Sequence, residues 1–328
     1  MKILVTGGCG FIGHHFIEHV IKNTDWEVAV LDRLTYASNG YDRLKDINCF
    51  DNRRVKVFSA DLEQLLTSDG LRQEIGKVDL VCHLAAETHV DNSITSPYKF
   101  LKTNIIGTYY LLEYIKKYNA EVKWVNMFST DEVMGPAPDN VKFTEKDTYN
   151  CKNPYSASKA GAEQLCVAYE NCYKIPIFTT RTMNNYGERQ HPEKFIPMVI
   201  KKVLSGEVVT IHSDSTKTIS GSRFYIHARN VSDALLFLFT RAKSADIYNL
   251  VGEKEVSNLN LAQMIATVVG KPLKYEMVDF HTSRPGHDLR YALDGTKVKN
   301  MGWQPPKSFE PSLEKTIKWY LENPKWLQ

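Results

Sequence analysis

Apolar residues in the first half of the chain fall into two alternating patterns: short continuous runs, and longer stretches in which they return every third or fourth position. Ile3-Leu4-Val5 is such a run, and Phe11, Ile12, Phe16, Ile17 and Val20 follow it at helical spacing. Residues 26–31, 55–58 and 77–84 read as further strands, the last apolar enough to be buried on both faces. Residues 93–118 predict one long helix, with Pro97 in its early part and a stripe of Leu101, Ile105, Thr108, Leu112 and Ile115. A strand over 121–128, a helix opened by Asn153 as N-cap with Pro154 at its first position, and a strand over 175–181 complete the series. Strand, helix and strand in repetition predict an α/β fold with a doubly wound parallel sheet.

The pattern changes at Asn184-Asn185-Tyr186-Gly187, where a loop punctuated by prolines leads into a single helix before Gly206. Residues 224–239 and 247–252 predict a helix and an edge strand that return to the sheet. An amphipathic helix over 260–270 and a terminal helix near Pro311 follow. The expected division is a first lobe of residues 1–183 with 224–252, and a smaller α/β substrate-binding lobe of 184–223 with 253–328.

Forty-one basic residues against thirty-eight acidic ones leave a net charge of +3 without any block of like charge, which argues against a nucleic-acid or membrane partner. Met1-Lys2 runs directly into the first strand and no apolar run approaches the ~18 residues of a membrane span, so a cytoplasmic protein is expected. The six cysteines have no metal-type spacing; they read as reduced and structural, and no metal is expected.

Chemistry enters at the first turn. The glycines Gly7-x-x-Gly10-x-x-Gly13 stand between strand and helix, with Phe11 and Ile12 opening the helix. A dinucleotide pyrophosphate needs this build: a tight turn, backbone that comes close, and amide donors at a helix N-terminus. Asp32 ends the next strand about 20 residues on, where a carboxylate accepts both ribose hydroxyls. It favours NAD over NADP, with Arg33 the counter-indication. Asp61 and Leu62 after the third strand and Ala85 after the fourth complete the expected cofactor contacts in this Rossmann-type half. His83 reads as a packed strand-end histidine.

The strand over 121–128 delivers Ser129-Thr130-Asp131-Glu132 at its carboxyl end, where open α/β sheets place their chemistry. Tyr155 and Lys159 stand four residues apart, on one helix face. An ammonium beside a phenol lowers its pKa, so that the phenolate takes a proton from an alcohol as hydride leaves; Thr130 can bond the same oxygen.

With these residues in place the chain resembles the extended short-chain dehydrogenase/reductase family, and within it the nucleoside-diphosphate-sugar 4,6-dehydratases, particularly those acting on dTDP-glucose. The resemblance runs nearly end to end, through Thr6-Gly7-Gly8-x-Gly10-Phe11-Ile12-Gly13, Leu34-Thr35-Tyr36-Ala37, His83-Leu84-Ala85-Ala86-Glu87-x-His89-Val90-Asp91, Ser129-Thr130-Asp131-Glu132-Val133, Pro154-Tyr155-Ser156-Ala157-Ser158-Lys159, Asn184-Asn185-Tyr186-Gly187, Pro192-Glu193-Lys194 and Arg284-Pro285-Gly286-His287-Asp288. It implies an NAD enzyme that oxidises a hexose at C4, eliminates water across C5 and C6, and returns the hydride to C6. Glu132 is then the base at C5 and Asp131, held protonated, the acid at the C6 oxygen; adjacent carboxyls disfavour joint ionisation, which makes that division attainable. Substrate contacts carry over onto His89, Thr130, Asn184, Asn185, Lys194, Arg223, Asn258, Arg284 and Asp288, and a homodimer is implied. Epimerases and decarboxylases of the wider family share the Tyr and Lys but not the carboxylate pair. A nucleotide-sensing binding protein, which keeps the fold without turnover, is the reading outside enzymes.

Three stretches depart from the family pattern: Met134 in place of a tyrosine, Arg181-Thr182-Met183 in place of a small polar triplet, and the stretch 212–222, which lacks Gly-x-Gly-x-Gln-x-Arg. The expectation is that Met134 lies near the sugar and admits a 2- or 3-modified hexose. The order of expectation is dTDP-glucose first, with UDP-glucose or a modified relative behind it.

Overall fold

Seven of the apolar runs pair into one parallel sheet in the computed structural model, which describes residues 1–280 and 289–328. In chain order they are β1 (Lys2–Thr6), β2 (Glu27–Asp32), β3 (Val55–Ser59), β4 (Leu80–His83), β5 (Trp124–Thr130), β6 (Ile177–Thr182) and, after an excursion, the edge strand β10 (Ile247–Leu250). They lie in the order β10-β6-β5-β4-β1-β2-β3. All neighbours run parallel. The order reverses between β1 and β4, so a crevice opens at their carboxyl ends, where such sheets bind ligands.

Helices cover both faces because each strand of this kind is apolar on both. On one face α1 (Phe11–Asn23) and α10 (Ala228–Arg241) pack Phe16, Ile17 and Val20 against Val231, Leu235 and Leu238. On the other, α7 (Gly107–Tyr118) and α8 (Pro154–Tyr173) bury Leu112, Ile115, Ala162 and Cys166. Shorter helices fill the connections: α2 (Asp42–Asp46), α3 (Gln64–Thr67), α4 (Asp69–Ile75), α5 (Val90–Thr95) and α6 (Pro97–Phe100).

The single helix expected over 93–118 is broken. Ser96 leaves helical geometry (φ −137°, ψ 64°) because the residue before a proline is crowded out of it, and Pro97 opens a new helix. Residues Leu101–Ile106 then form a wider π turn before α7. It carries Asn104, buried, whose amide donates to Glu87 O (3.1 Å) and Ser158 Oγ (2.8 Å) and accepts from Glu87 N–H (2.9 Å).

A third core gathers the later elements. β7 (Asn184–Tyr186), β9 (Ser222–His227) and β11 (Glu255–Ser257) form a three-stranded sheet, and β8 (Val209–Ser213) pairs in parallel with β12 (Tyr275–Asp279). α9 (Phe195–Ser205), α11 (Asn258–Val269) and the terminal helix Phe309–Glu322 pack on them through Val199, Ile265 and Ile317. The stretch 224–239, expected as one helix, starts as strand: Phe224-Tyr225-Ile226 pair with β7 and β11 before α10 begins at Ala228. Aromatic and β-branched side chains suit a pleated, half-buried surface better than a helix.

Candidate active site

Backbone geometry makes the first wall. Gly7 has φ +71°, and a Cβ there would lie 2.6 Å from Ala85 N; a Cβ at Gly13 would lie 2.4 Å from Gly7 O. Only glycine allows the turn, the end of β4 and the start of α1 to meet this closely. α1 has no side-chain cap, so its free N–H groups face a cavity of about 380 Å³ lined there by Gly7, Gly10, Phe11, Ile12 and Gly13. Beside the glycine turn, Asp32 on the cavity wall accepts from Cys9 N–H at 3.0 Å and from Leu34 N–H at 2.8 Å. Those bonds fix the carboxylate while each oxygen keeps a lone pair for a hydroxyl. Burial raises its pKa, and the two backbone donors oppose that. A bare helix start for a diphosphate and an oriented carboxylate for a ribose fit a dinucleotide.

β5 delivers the reactive wall. Thr130 ends it and caps the short 3₁₀ turn Asp131–Met134: its Oγ1 accepts from Glu132 N–H (3.3 Å) and donates to Asp131 Oδ1 (3.0 Å). Asp131 is buried, and its Oδ2 has no hydrogen-bond partner among the described residues. Burial pushes its carboxyl up to about 7, the Glu132 charge adds to the shift, and Arg223 opposes it. Glu132, half-buried on the same wall, accepts from Asn153 Nδ2 at 3.0 Å. Asn153 also caps α8 reciprocally with Ser156, which sets Tyr155 in the first turn and Lys159 one turn on, both on the cavity. Burial brings the Lys159 ammonium down to about 8 against the opposing pull of Glu163.

Burial, then the Glu132 charge, raises the Tyr155 phenol well above its ordinary value, while the Thr130 hydroxyl lowers it. The lowering by Lys159 expected from the sequence is not found: the phenol moves up, and the lowering contact is Thr130.

Of the remaining candidates, Ala85, Asn184, Asn185 and Lys194 line this cavity. Asp61 and Leu62 line a smaller one of about 50 Å³ beside it, which Ala85 and Arg33 share. His89, Arg223 and Asn258 are not on the wall. His89 caps α5, and its Nε2 lies 4.0 Å from Glu193. Arg223 donates to Ser222 O and Leu289 O and stacks on Tyr291. Asn258 accepts from Tyr225 OH (3.1 Å), and it is Tyr225 that reaches the cavity. Arg284 and Asp288 lie outside the described residues. His83 is packed as expected, between Thr6 Oγ1 (2.7 Å) and Thr108 Oγ1 (3.0 Å), and burial lowers it to about 3. All six cysteines are free.

The structure redirects the reading of the departures. Met134 does not reach the sugar side: it is 1% exposed among Val133, Ala160 and Phe224, with its sulfur 3.2 Å from Arg181 Nη1. Of the departures, Thr182 and Met183 line the cavity, and no residue of 212–222 does. Arg43 was not legible in the sequence. Five-residue α2 buries it on the wall, where its guanidinium donates to the carbonyls of Ala37 (2.7 Å), Ser38 (2.6 Å) and Arg189 (2.9 Å). No local pattern marks an arginine that will be buried against carbonyls from two segments far apart in the chain.

Residues 4–316 match the family model described as GDP-mannose 4,6 dehydratase. A dTDP-glucose 4,6-dehydratase of Escherichia coli is 39% identical over 350 residues, covering 100% of this chain and 95% of the relative. The low-salt glycan biosynthesis protein Agl12 of Haloferax volcanii is 38% identical, over 98% of this chain and 99% of its own. Among solved structures, the dTDP-glucose 4,6-dehydratase DesIV of Streptomyces venezuelae, with NAD bound, superposes with a TM-score of 0.88 at 34% identity, covering 100% of this chain and 99% of that one. The NAD complex of a Thermus thermophilus UDP-glucose 4-epimerase gives 0.86 at 26%, covering 98% and 99%. Epimerases thus share the backbone. With the match extending over nearly the whole chain, the protein belongs to the GDP-mannose 4,6 dehydratase family.

Proposed function

We propose that this chain dehydrates dTDP-glucose, with NAD, to the 4-keto-6-deoxy sugar nucleotide. The observation that carries the reading is the carboxyl pair. Asp131 and Glu132 face the same cavity as Tyr155, Lys159 and the glycine cradle, and only Asp131 is walled off with its pKa at about 7. An epimerase needs no such acid and base, so the shared fold does not favour that activity. Relatives that print dTDP-glucose in their names support the choice of nucleotide.

The residues divide the work by environment. Tyr155, hydrogen-bonded to Thr130, takes the proton from the C4 hydroxyl; a charged Lys159 one turn along α8 is the group that would oppose the upward pull of burial on the phenol. NAD would supply the acceptor for the C4 hydride and its donor to C6. The C4 ketone makes the C5 proton acidic, and Glu132, oriented by Asn153, removes it and returns a proton to C5 when hydride reaches C6. Asp131 supplies the proton with which the C6 oxygen leaves as water; a carboxyl poised near 7 is suited to that step. Asn184, Asn185 and Lys194 hold the sugar diphosphate, and Gly7, Gly10, Gly13 and Asp32 hold the cofactor.

We further propose the division into a cofactor lobe of 1–183 with 224–252 and a substrate lobe from the rest, with the strand Ser222–His227 crossing the boundary to pair with β7 and β11. A cytoplasmic homodimer completes the reading. Its support is the free thiols and an exposed apolar surface on adjoining helices, with Tyr98 74%, Leu101 43%, Ile106 43% and Val167 42% exposed. No helix among the described residues is long and apolar enough to cross a membrane.

Incubation with dTDP-glucose followed by alkali, with 4-keto product read in the near ultraviolet, tests the activity. Product from dTDP-glucose supports the reading. Product only from a uridine nucleotide overturns the choice of base, and none from any hexose nucleotide overturns the activity.

A further inference from the structure

Behind the reactive wall lies an ion pair that the chemistry above does not use. Glu163 on α8 and Arg181 on β6 are each 1% exposed. Arg181 Nη2 donates to Glu163 Oε2 at 2.8 Å, and Nε donates at 3.1 Å to Oε2 and 3.3 Å to Oε1. Ser129 Oγ donates to Oε1, and Tyr149 OH to Oε2 at 2.8 Å. The carboxylate is thus fully satisfied, the condition under which a buried pair is tolerated. Stability alone gives little reason for such a pair, since apolar side chains of similar size serve a core as well.

What the pair touches gives a reason. Ser129 is the register partner of Arg181 in the sheet and immediately precedes Thr130-Asp131-Glu132. Arg181 Nη1 meets the sulfur of Met134, the last residue of the turn that presents both carboxyls. Tyr149, under the guanidinium at 5.0 Å, lies in the segment that leads to Asn153. Glu163 itself stands one turn from Lys159 and two from Tyr155, on the same face of α8. Neither member lines the cavity.

We infer that the Glu163–Arg181 pair is a positioning device for the reacting groups, clamping the end of β5, the Asp131–Met134 turn and the face of α8 into one geometry and supporting the charge of Lys159. The inference rests on the proposed dehydration for its kinetic consequences, though not for its structural ones. The groups that face Lys159 are Glu163 and Cys166 on its own helix, His83 on β4, which burial and the ammonium keep neutral, and the Asp131–Glu132 pair across the cavity. Glu163 is the carboxylate among them that supports the ammonium from behind the wall.

Glu163→Gln keeps the shape and removes the charge. The full chain, with NAD and dTDP-glucose, is expected to lose ten- to a hundredfold in kcat with KM changed less than threefold. The alkaline limb of its kcat profile should move to lower pH by about one unit, because an ammonium without its carboxylate loses its proton sooner. Backbone hydrogen exchange in residues 129–134 should rise at least tenfold while that of β1 and α1 stays unchanged. Glu163→Gln/Arg181→Met, neutral at both positions, should regain the melting temperature but not kcat, and it keeps the test open if the single variant does not fold. Wild-type kcat and an unmoved alkaline limb in the single variant, or kcat recovered together with stability in the double variant, would overturn the inference. Should the wild-type chain turn over no hexose nucleotide, the proposed activity fails, and hydrogen exchange alone decides the positioning role: unchanged exchange at 129–134 sinks it.

Discussion

Asn153 holds Glu132 at 3.0 Å through its side-chain N–H, while its side-chain oxygen caps the helix that carries Tyr155 and Lys159. One residue therefore sets the proposed base of the elimination relative to the groups proposed for the oxidation. The two duties separate by substitution. Asn153→Ser keeps a cap and should keep stability, yet lose about tenfold in solvent-deuterium incorporation at C5 when the base is no longer oriented. Asn153→Ala should lose the same activity and about 1 kcal/mol besides. Equal melting temperatures for the two variants would contradict this separation.

Asp131 gives a pH signature in stability as well as in rate. Its folded pKa, about 7, lies above the ordinary 3.8, so between those values the folded chain binds a proton that the unfolded chain releases. Stability from this group is full below pH 4 and falls as pH rises to about 7, by roughly 3–4 kcal/mol. Asp131→Asn removes the penalty. Urea unfolding should show the variant more stable than wild type at pH 8 and equal to it at pH 4, while the variant's elimination step falls at least a hundredfold.

Met134→Tyr should leave the order of kcat/KM for dTDP-glucose, UDP-glucose and a modified hexose nucleotide unchanged. The methionine faces Arg181 and a closed core rather than the cavity. Its enlargement should instead cost about 1–3 kcal/mol by overpacking. Met183→Ser, on the wall, should change the ratio of kcat/KM between hexoses by about tenfold. A substrate order that responds to residue 134 and not to 183 would reverse this assignment.

Gly7 and Gly40 both have positive φ, yet they differ in what a methyl would meet. At Gly40 nothing lies within 4 Å, whereas at Gly7 the backbone of Ala85 lies at 2.6 Å. Gly40→Ala should cost about 1 kcal/mol of backbone strain and leave cofactor content intact. Gly7→Ala should abolish retention of NAD through purification, read from the ultraviolet spectrum of the denatured chain.

Leu101→Asp together with Val167→Asp should convert a dimer into a monomer by light scattering, since both side chains lie on exposed apolar helix surface. A wild-type chain that is already monomeric at micromolar concentration would remove the dimer.

The sequence by itself determined what depends on near neighbours along the chain. Glycines at Gly7, Gly10 and Gly13 between an apolar run and a helical stripe can make only a tight turn into a helix. Asn153-Pro154 marks the start of α8, and four-residue spacing puts Tyr155 and Lys159 on one face. The parallel sheet follows from the repetition of these patterns. Even so, a helix over 93–118 looked continuous because its apolar stripe outweighs one proline, and Phe224-Tyr225-Ile226 fitted a helical period as well as a strand.

Tertiary structure decided whatever depends on surroundings distant in sequence. Asp131 and Glu132 are adjacent and chemically alike; that Asp131 is the walled-off carboxyl while Glu132 is bonded to Asn153 follows from burial, which no spacing encodes. The sequence singled out Met134 for the sugar pocket, but packing turns it toward Arg181 and leaves Met183 on the cavity. Arg181 stood out in the sequence only as a departure from the family pattern and Glu163 not at all; the docking of α8 on β5 and β6 makes them a dry pair. Periodicity fixes which way a backbone folds locally, but a side chain's charge, exposure and partners are set by the segments that close around it.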